Sequence, residues 1–228
     1  MGNLGIYLSP QKWYIEYRLP QGNFMKKLLY ILYAAIGLIC LFVLANVGIN
    51  IYERAYKNID YNQLKSYCVN NNLSTNYAIV VDFSIPSGKS RFFLCDLLNN
   101  KIVASSLCAH GTGKGSTKSK PVFSNVKGSK CSSIGHYAIK NRHVMKSTGL
   151  SSFKLDGLDS TNSNAMSRGI LIHSSKVVTL FSLGIFPFYL PLDSRISSGC
   201  FAVDVDMMDL LGVVVSNEKK PILLYAYK

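Results

Sequence analysis

The apolar positions of the chain form one long block near its start, followed by many short ones. Residues 28–49 (LLYILYAAIGLICLFVLANVGI) contain no charged side chain. At a rise of ~1.5 Å per residue, a helix of this length crosses the ~30 Å hydrocarbon layer of a membrane. Lys26 and Lys27 precede the block and favour a cytoplasmic location for that flank. We therefore expect a transmembrane anchor over residues 28–51, with a cleaved signal segment as the alternative.

Residues 1–27 lie ahead of this block, on its expected cytoplasmic side. The sequence MKKLLYILY, which begins at Met25, has the form of a natural translation start. Residues 1–24 are therefore either part of a short cytoplasmic segment or lie before the true start, and we assign them no structure. Residues from about 52 onward are expected on the far side of the membrane.

Beyond the block, the spacing of apolar residues predicts first a helix and then strands. Residues 53–70 carry apolar side chains at helical spacing, which predicts a short amphipathic helix in a linker over residues 52–76. From Tyr77 onward the runs YAIVVDFSI, RFFLCDL and KIVASSLC are separated by PSGK and NN, a pattern typical of a β-meander. Further strands are predicted at 134–139, 153–158, 169–173, 200–205 and 221–227, and one short helix at 206–214.

A polar, glycine-rich segment, residues 110–133 (HGTGKGSTKSKPVFSNVKGSKCSS), separates the third and fourth predicted strands. It has too few apolar positions to bury a core face, so we expect a long functional loop with a short strand at its middle. The fold class expected for residues 77–228 is mainly β. We predict one domain, a β-sandwich or partly closed barrel with few short helices, preceded by the transmembrane helix.

The positive charge of the chain belongs to the part beyond the apolar block. The 228 residues carry a formal charge of +13, and residues 52–228 hold 21 of the 25 basic and 11 of the 12 acidic side chains. Such a balance favours an anionic partner, and outside the cytoplasm this partner is an envelope polymer rather than nucleic acid. Residues 97–155 contain ten Lys or Arg and no acidic residue. Such a run is usually a solvated face, but beside a cleft it would steer carboxylate-bearing substrates.

The cysteines do not indicate a disulfide framework. Cys40 lies in the apolar block, which leaves five beyond it, so at least one thiol stays unpaired if all share an oxidising compartment. Cys95 and Cys108 fall inside apolar strand-like runs and are predicted to be buried small hydrophobes. The chain has no CxxC pair and no metal-type spacing, so we expect no metal and no cofactor.

Cys200 has a different setting, in the stretch RISSGCFAVD (residues 195–204). It follows a turn-prone Ser-Ser-Gly tripeptide and opens a short apolar run, a junction that presents a side chain to a cleft. His173 ends another apolar run, GILIH, where a purely structural histidine is the alternative. Together they supply the nucleophile and base of acyl transfer, and the imidazole is expected to lower the thiol pKa far below ~8.5. The backbone around Gly199, with Ser198 beside it, is the candidate oxyanion hole.

An ordered set of short sequences resembles one known family. SSGCFAV, with the histidine of ILIHSS 27 residues upstream, is similar to the signature of the YkuD-type L,D-transpeptidase superfamily. Over residues 77–205 the chain resembles the murein L,D-transpeptidase catalytic-domain family. The matching elements are His110-Gly111, Phe123-Ser124-Asn125, Gly128-Ser129, Ser132-Ser133-Ile134-Gly135-His136-Tyr137, Gly157-Leu158-Asp159, Asn162, Asn164 and Arg168. Two positions depart from the superfamily pattern: Ser198 stands where many relatives have His, and Phe201-Ala202-Val203 where Arg or Asn soon follows the cysteine.

The resemblance implies an enzyme of the bacterial cell envelope that acts on peptidoglycan stem peptides. Cys200 would attack the carbonyl between the diamino acid at position three and the terminal D-alanine. D-Alanine leaves, a thioester forms, and an amine of another stem, or water, resolves it. His173 would act as base and then as acid, its ring oriented by a backbone carbonyl. The candidate substrate-binding residues are His110, Ser132, Gly135, Tyr137, Arg168 and Ser197.

Several interpretations remain open. His110 either lines the cleft or caps a strand, Tyr137 fits the core as well as the groove, and Arg168 either clamps a substrate carboxylate or pairs with Asp156 or Asp159. For the whole chain the alternatives are an L,D-carboxypeptidase or wall-peptide hydrolase on the same scaffold, and a wall-binding module with an inactive site. A zinc hydrolase is disfavoured because the four histidines lack an HExxH spacing.

Overall fold

The fold is described from a computed structural model, which covers residues 23–56, 58–117, 120–144, 149, 151–182 and 196–228. The expectation for residues 1–22 lies outside this range. By its internal contacts the chain divides into two units, Met1–Gly48 and Ile49–Lys228. The domain boundaries expected from the sequence stay a prediction.

Helix α1 (Asn23–Tyr56) contains the long apolar block. Its segment Asn23–Ala45 has a hydropathy of 2.7 and is long and apolar enough to cross a membrane. None of this segment is buried. The expected apolar N-terminal helix is therefore confirmed, with properties compatible with a membrane anchor or a signal sequence.

The described residues after α1 form eight strands and four helices. In chain order these elements are α2 (Tyr61–Asn70), β1 (Tyr77–Asp82), β2 (Phe92–Asp96), β3 (Lys101–Ser106), β4 (Gly135–Val144), β5 (Ser151–Gly157), α3 (Ala165–Arg168), β6 (Leu171–Ser174), α4 (Lys176–Ser182), β7 (Phe201–Val203), α5 (Val205–Asn217) and β8 (Leu223–Tyr227).

The eight strands form one sheet in the order β3-β2-β1-β8-β4-β5-β6-β7. Strands β1 to β3 are the predicted antiparallel meander, whereas β8 returns to the middle of the sheet, parallel to β1 and antiparallel to β4. Strands β6 and β7 are parallel. Beyond β3, the N–H of Ala109 donates to the carbonyl of Ala202 in β7 at 2.8 Å and nearly closes the sheet. The predicted mainly β, partly closed architecture is confirmed.

Apolar side chains are buried on both faces of the sheet. One face packs against α5, which contributes the buried Met208 and Leu211. The opposite face is covered by α2 through Leu64 and Cys68. Because both faces are covered, β1 and β2 are apolar at consecutive positions instead of alternating.

Several local expectations are refined by the structure. The helix predicted at 53–70 divides into the end of α1 and α2, and the short helices α3 and α4 had no clear pattern in the sequence. The loop 110–133 contains single bridges, such as Phe123 to Ser132, instead of the expected short strand. Cys95 and Cys108 are fully buried, as predicted, and all six cysteines are free thiols.

Candidate active site

Cys200 lies directly before β7, at the end of a tight turn formed by Ser197, Ser198 and Gly199. The Ser197 hydroxyl accepts a hydrogen bond from the N–H of Gly199 at 3.1 Å and donates one to the carbonyl of Cys200 at 2.7 Å. This buried side chain therefore closes the turn from inside. Cys200 itself is only partly buried, as a nucleophile that must reach a substrate has to be.

Gly199 is required in this turn both by its backbone conformation and by the space around it. Its φ is +121°, a value that residues with a side chain rarely adopt. A Cβ atom there would lie 2.8 Å from the carbonyl oxygen of Cys131. From the same side, the fully buried Ser132 donates to the carbonyl of Gly199 at 3.1 Å and accepts the N–H of Gly111 at 3.0 Å. The structure places Ser132 as a support of the turn.

His173 lies on β6, the strand that pairs with β7. The parallel register places His173 opposite Ala202, two residues after Cys200. Because side chains alternate along a strand, His173 and Cys200 belong to the same face of these strands. Ile172 and Phe201 point to the other face and are fully buried in the core. A slip by one residue would bury the imidazole in that core, so core packing fixes the register of the pair.

The imidazole of His173 is oriented by a backbone carbonyl. Nδ1 lies 2.9 Å from the carbonyl oxygen of Ser174. Because a carbonyl only accepts hydrogen bonds, Nδ1 carries the proton and Nε2 is the basic nitrogen. Among the described residues, Nε2 has no hydrogen-bond partner and is available to take a proton. The orienting carbonyl is the kind of group that the family resemblance implies.

Burial determines the protonation state of both groups. It raises the pKa of the Cys200 thiol, opposed by the backbone amide of Leu171 and the positive charge of Arg168. Burial also lowers the pKa of His173, opposed by its hydrogen bond to Ser174. At neutral pH the pair is therefore a thiol and a neutral imidazole. The low thiol pKa expected from the sequence is not found, because desolvation disfavours the ion pair.

The backbone N–H groups around Cys200 differ in their availability to an oxyanion. The N–H of Gly199, an expected donor, is occupied by the Ser197 hydroxyl. Ser198 is exposed at the tip of the turn. Within the described ranges, the N–H of Cys200 itself has no hydrogen-bond partner. The amide of the cysteine is therefore the better candidate for stabilising negative charge on a carbonyl oxygen under attack.

Comparison with known proteins identifies the family of the chain. Residues 46–227, most of the chain, match a family model described as "L,D-transpeptidase catalytic domain". The chain belongs to this family. No curated protein matches its sequence closely enough to identify it further.

Solved structures of L,D-transpeptidases have a low similarity to this domain. An L,D-transpeptidase from Xylanimonas cellulosilytica is 12% identical, with 71% of this chain and 68% of that chain covered and a TM-score of 0.40. The helical cell shape determining protein Pgp2 of Campylobacter jejuni is 13% identical, with 72% and 55% covered and a TM-score of 0.43. The L,D-transpeptidase of Mycobacterium smegmatis is 9% identical, with 67% and 59% covered and a TM-score of 0.37. The chain thus spans little more than half of the Pgp2 and M. smegmatis chains.

In this L,D-transpeptidase domain, His110 is a buried structural residue. Its Nε2 donates to the carbonyl of Thr117 at 2.8 Å, and its Nδ1 accepts from Nη2 of Arg91 at 2.8 Å. Burial and the neighbouring guanidinium lower the pKa of His110 to about 4. His110 was expected either to line the cleft or to cap a strand. A structural role fits its position, since the residue is only 2% exposed.

Arg91 is a buried residue that no sequence pattern singled out. Its Nε donates to the carbonyl of Cys108 at 2.8 Å, and Nη1 donates to the carbonyl of Ile85 at 3.1 Å. The guanidinium also lies 5.0 Å from the ring centre of Phe83. Together with His110, it joins the segment after β1 to the start of the loop at 110–133. A lone arginine in RFFLCDL has no sequence signal that would reveal this role.

Gly135 and the neighbouring His136 organise the far end of the same loop. A Cβ at Gly135 would lie 2.7 Å from Oδ2 of Asp159, which accepts from Nδ1 of His136 at 2.9 Å. The imidazole stacks between Tyr67 of α2 and Tyr225 of β8, at 3.8 and 4.3 Å between ring centres. The aromatic stack thus joins α2 to the sheet, and Gly135 allows the carboxylate to approach.

Tyr137 belongs to the core. It is fully buried, its hydroxyl donates to the carbonyl of Ser133 at 2.7 Å, and burial raises its pKa to about 12. Its ring meets Phe201 edge-on with 5.6 Å between ring centres. Because Phe201 follows Cys200 directly, Tyr137 supports the strand that carries the thiol.

Arg168 forms neither of the predicted salt bridges. Asp159 binds His136, and Asp156 lies 3.4 Å from Lys140. The Arg168 guanidinium instead binds carbonyl and hydroxyl groups of the segment 124–133. Its donors on both Nη atoms are therefore engaged inside the protein.

Exposed lysines surround this segment. The loop carries Lys114, Lys120, Lys127 and Lys130, all exposed, and in the described part of the chain none of them forms an ion pair. Lys130 directly precedes Cys131, whose carbonyl lies against Gly199. Positive charge is thus exposed along this loop, and Lys130 is adjacent in sequence to the residue that contacts the turn. No three His, Cys, Asp or Glu side chains come together as a metal site in the ranges that the structure describes.

Proposed function

We propose that this domain is a cysteine L,D-transpeptidase that acts on peptidoglycan stem peptides, with Cys200 as nucleophile and His173 as general base. The observation that carries the proposal is the placement of both residues on one face of paired parallel strands, with Nε2 of His173 left free. The family membership supports the class of reaction. No metal or cofactor is needed for this chemistry.

Acylation begins from the neutral pair. Nε2 of His173 takes the proton of the thiol as the sulfur attacks the carbonyl carbon of the bond between residue three of the stem and D-alanine. The N–H of Cys200 stabilises the negative charge on the carbonyl oxygen. The amine of D-alanine then leaves with the proton from His173, and a thioester on Cys200 remains.

Deacylation reverses these roles. An amine of a second stem gives its proton to Nε2 of His173 and attacks the thioester carbonyl. The carbon–sulfur bond breaks, the thiolate of Cys200 recovers the proton, and a new amide cross-links the two stems. Water in place of the amine gives hydrolysis and a shortened stem.

The surroundings of Cys200 favour an anionic substrate. The exposed lysines of the loop at 110–133 lack carboxylate partners among the described residues, and stem peptides carry free carboxylates. As part of the same proposal, the apolar helix α1 would anchor the domain in the cytoplasmic membrane, so that the domain faces the wall. An alkaline phosphatase fusion after residue 76 tests this, since the fused enzyme is active only outside the cytoplasm.

Incubation of the full-length protein with tetrapeptide muropeptides tests the reaction. Cross-linked dimers together with released D-alanine are expected, and both should be lost in Cys200→Ala and His173→Gln. Tripeptides without dimers would instead establish a carboxypeptidase. Cys108→Ala serves as a matched control, because this fully buried thiol has a pKa raised to about 12 and should not contribute.

A carbapenem provides a second, substrate-independent test. The intact mass should increase by one inhibitor molecule, and peptide mapping should place the adduct on Cys200. An unmodified protein that also leaves muropeptides unchanged would support the wall-binding alternative with an inactive site.

A further inference from the structure

A single short segment, Arg168 to His173, supplies most of the groups around the sulfur of Cys200. The Cys200 thiol donates to the carbonyl of Gly169 at 3.6 Å, and the backbone amide of Leu171 also acts on the sulfur. His173 follows two residues later as the proposed base. Arg168 opens the segment at the C-terminal end of α3 and brings the only permanent charge within it.

The Arg168 guanidinium is bound by four neutral groups. Nη1 donates to the carbonyl of Ser124 at 2.7 Å and to the hydroxyl of Ser133 at 3.2 Å. Nη2 donates to the hydroxyl of Ser129 at 3.4 Å and to the carbonyl of Cys131. Among the described residues no carboxylate neutralises this cation. Its charge is therefore held in place but not compensated, in contrast to an ordinary salt bridge.

These contacts reach the turn that carries the nucleophile. The Cβ position at Gly199 lies 2.8 Å from the carbonyl oxygen of Cys131 and 3.4 Å from Nη2 of Arg168. The guanidinium thus holds the carbonyl that forms the wall of the Gly199 turn, and it lies beside that turn itself. A shift of Arg168 would release Cys131 and with it the packing that positions Cys200.

The charge of Arg168 also acts on the sulfur. It favours the thiolate form of Cys200 and opposes the effect of burial. Since a guanidinium stays protonated at all physiological pH values, this influence is permanent. A partly buried charge is screened less by water and salt than an exposed one, so its effect persists at physiological ionic strength.

We propose that Arg168 is the positioning residue of the nucleophile. It locks the segment 124–133 against the Gly199 turn and supplies the positive charge that stabilises the Cys200 thiolate as it forms. Its Nη groups are occupied, so it does not serve as a clamp for a substrate carboxylate. This inference rests on the proposed function in one respect, the assignment of Cys200 as nucleophile.

The pH dependence of Cys200 alkylation by iodoacetamide tests the proposal without requiring turnover. Full-length wild type, Arg168→Lys and Arg168→Gln are compared in detergent, with each cysteine followed by peptide mass spectrometry. In Arg168→Gln the midpoint of the profile should move to higher pH, and alkylation below the midpoint should be slower than in wild type. In Arg168→Lys the midpoint should return most of the way to the wild-type value, because the positive charge is present again. The thermal stability should stay below wild type, because lysine cannot form the four hydrogen bonds of the guanidinium.

The control is Lys154→Gln, which removes a positive charge from an exposed position on β5 and should leave the midpoint unchanged. If Arg168→Gln has the wild-type midpoint and only its melting temperature is lower, the electrostatic role is overturned. If Arg168→Gln does not fold, Ser129→Ala/Ser133→Ala removes two of the four hydrogen bonds of the guanidinium and keeps the charge. This variant should slow carbapenem acylation at an unchanged midpoint, and wild-type acylation would overturn the positioning role. If wild type leaves muropeptides unchanged, the proposed function fails while the alkylation profile still decides the role of Arg168.

Discussion

The Ser197 hydroxyl donates to the carbonyl oxygen of Cys200 at 2.7 Å, across the turn that precedes the thiol. The hydroxyl oxygen of Ser197 in turn accepts the N–H of Gly199 at 3.1 Å. Ser197 is 4% exposed, so its side chain serves the turn and is not presented to a substrate. The position of Cys200 therefore depends on Ser197, which was expected from the sequence to bind substrate.

Replacing Ser197 with Ala should loosen this turn. The variant loses both hydrogen bonds and leaves the buried N–H of Gly199 unpaired, which costs about 1–3 kcal/mol. We expect a lower melting temperature and slower carbapenem acylation of Cys200, measured by calorimetry and mass spectrometry. Ser198→Ala, at the exposed neighbouring position, should change neither quantity. Wild-type acylation in Ser197→Ala would contradict the role given to this hydroxyl.

Gly199→Ala tests the steric argument at the turn. The new methyl group would lie 2.8 Å from a backbone oxygen in a conformation that also has an unfavourable φ of +121°. Gly128→Ala is the matched control, because its φ is +81° but nothing lies within 4 Å of the added carbon. In urea unfolding, Gly199→Ala should lose more free energy of unfolding than Gly128→Ala, by about 1–3 kcal/mol. Equal losses would show that backbone strain alone matters.

The sequence allowed the local parts of the fold to be predicted. The β-meander follows from apolar runs separated by short turns. The catalytic pairing of Cys200 with His173, inferred from their chemistry and their family-like order, stays a prediction. The parallel pairing of β6 with β7 and the return of β8 beside β1 were not predicted. Such pairings join residues distant in the chain, and no local pattern specifies which strands become neighbours.

The roles of individual site residues were less predictable than the fold. Ser132, Tyr137 and His110 have polar groups that suit a substrate groove, yet all three are buried and bind backbone groups. The expected low pKa of Cys200 failed for the same reason, since desolvation depends on packing that residue types do not reveal. Arg91 went unnoticed because a charged side chain inside an apolar run usually lies at the surface.

His110 should make the stability of the domain sensitive to acid. Its pKa is about 4 in the folded state and near 6.5 when exposed, so between these values the unfolded chain binds a proton that the folded domain does not. The free energy of unfolding should therefore fall as the pH decreases from 6.5 to 4, and His110 should account for about 3 kcal/mol of this loss. Below pH 4 its contribution should no longer change. Protonation of Nδ1 would also remove the acceptor for Arg91.

Urea unfolding of wild type and His110→Gln between pH 7.5 and 4 measures this contribution. The variant should be less stable at pH 7.5 but lose less stability on acidification, so the two curves converge at low pH. Parallel curves for wild type and His110→Gln would show that His110 does not cause the acid sensitivity.

The exposed lysines beside the turn should act on the capture of substrate and not on the chemical step. Lys127→Gln/Lys130→Gln removes two exposed positive charges of the loop at 110–133 that form no ion pair among the described residues, and it leaves Cys200 and His173 in place. For an anionic muropeptide at low salt we expect KM to rise about two- to fivefold with kcat unchanged, because long-range attraction accelerates encounter. The difference from wild type should disappear near 0.5 M salt, where charges are screened over a few ångströms. Lys219→Gln/Lys220→Gln, an equal loss of exposed charge between α5 and β8, should leave KM unchanged. If both double variants raise KM equally, net charge and not the loop at 110–133 attracts the substrate.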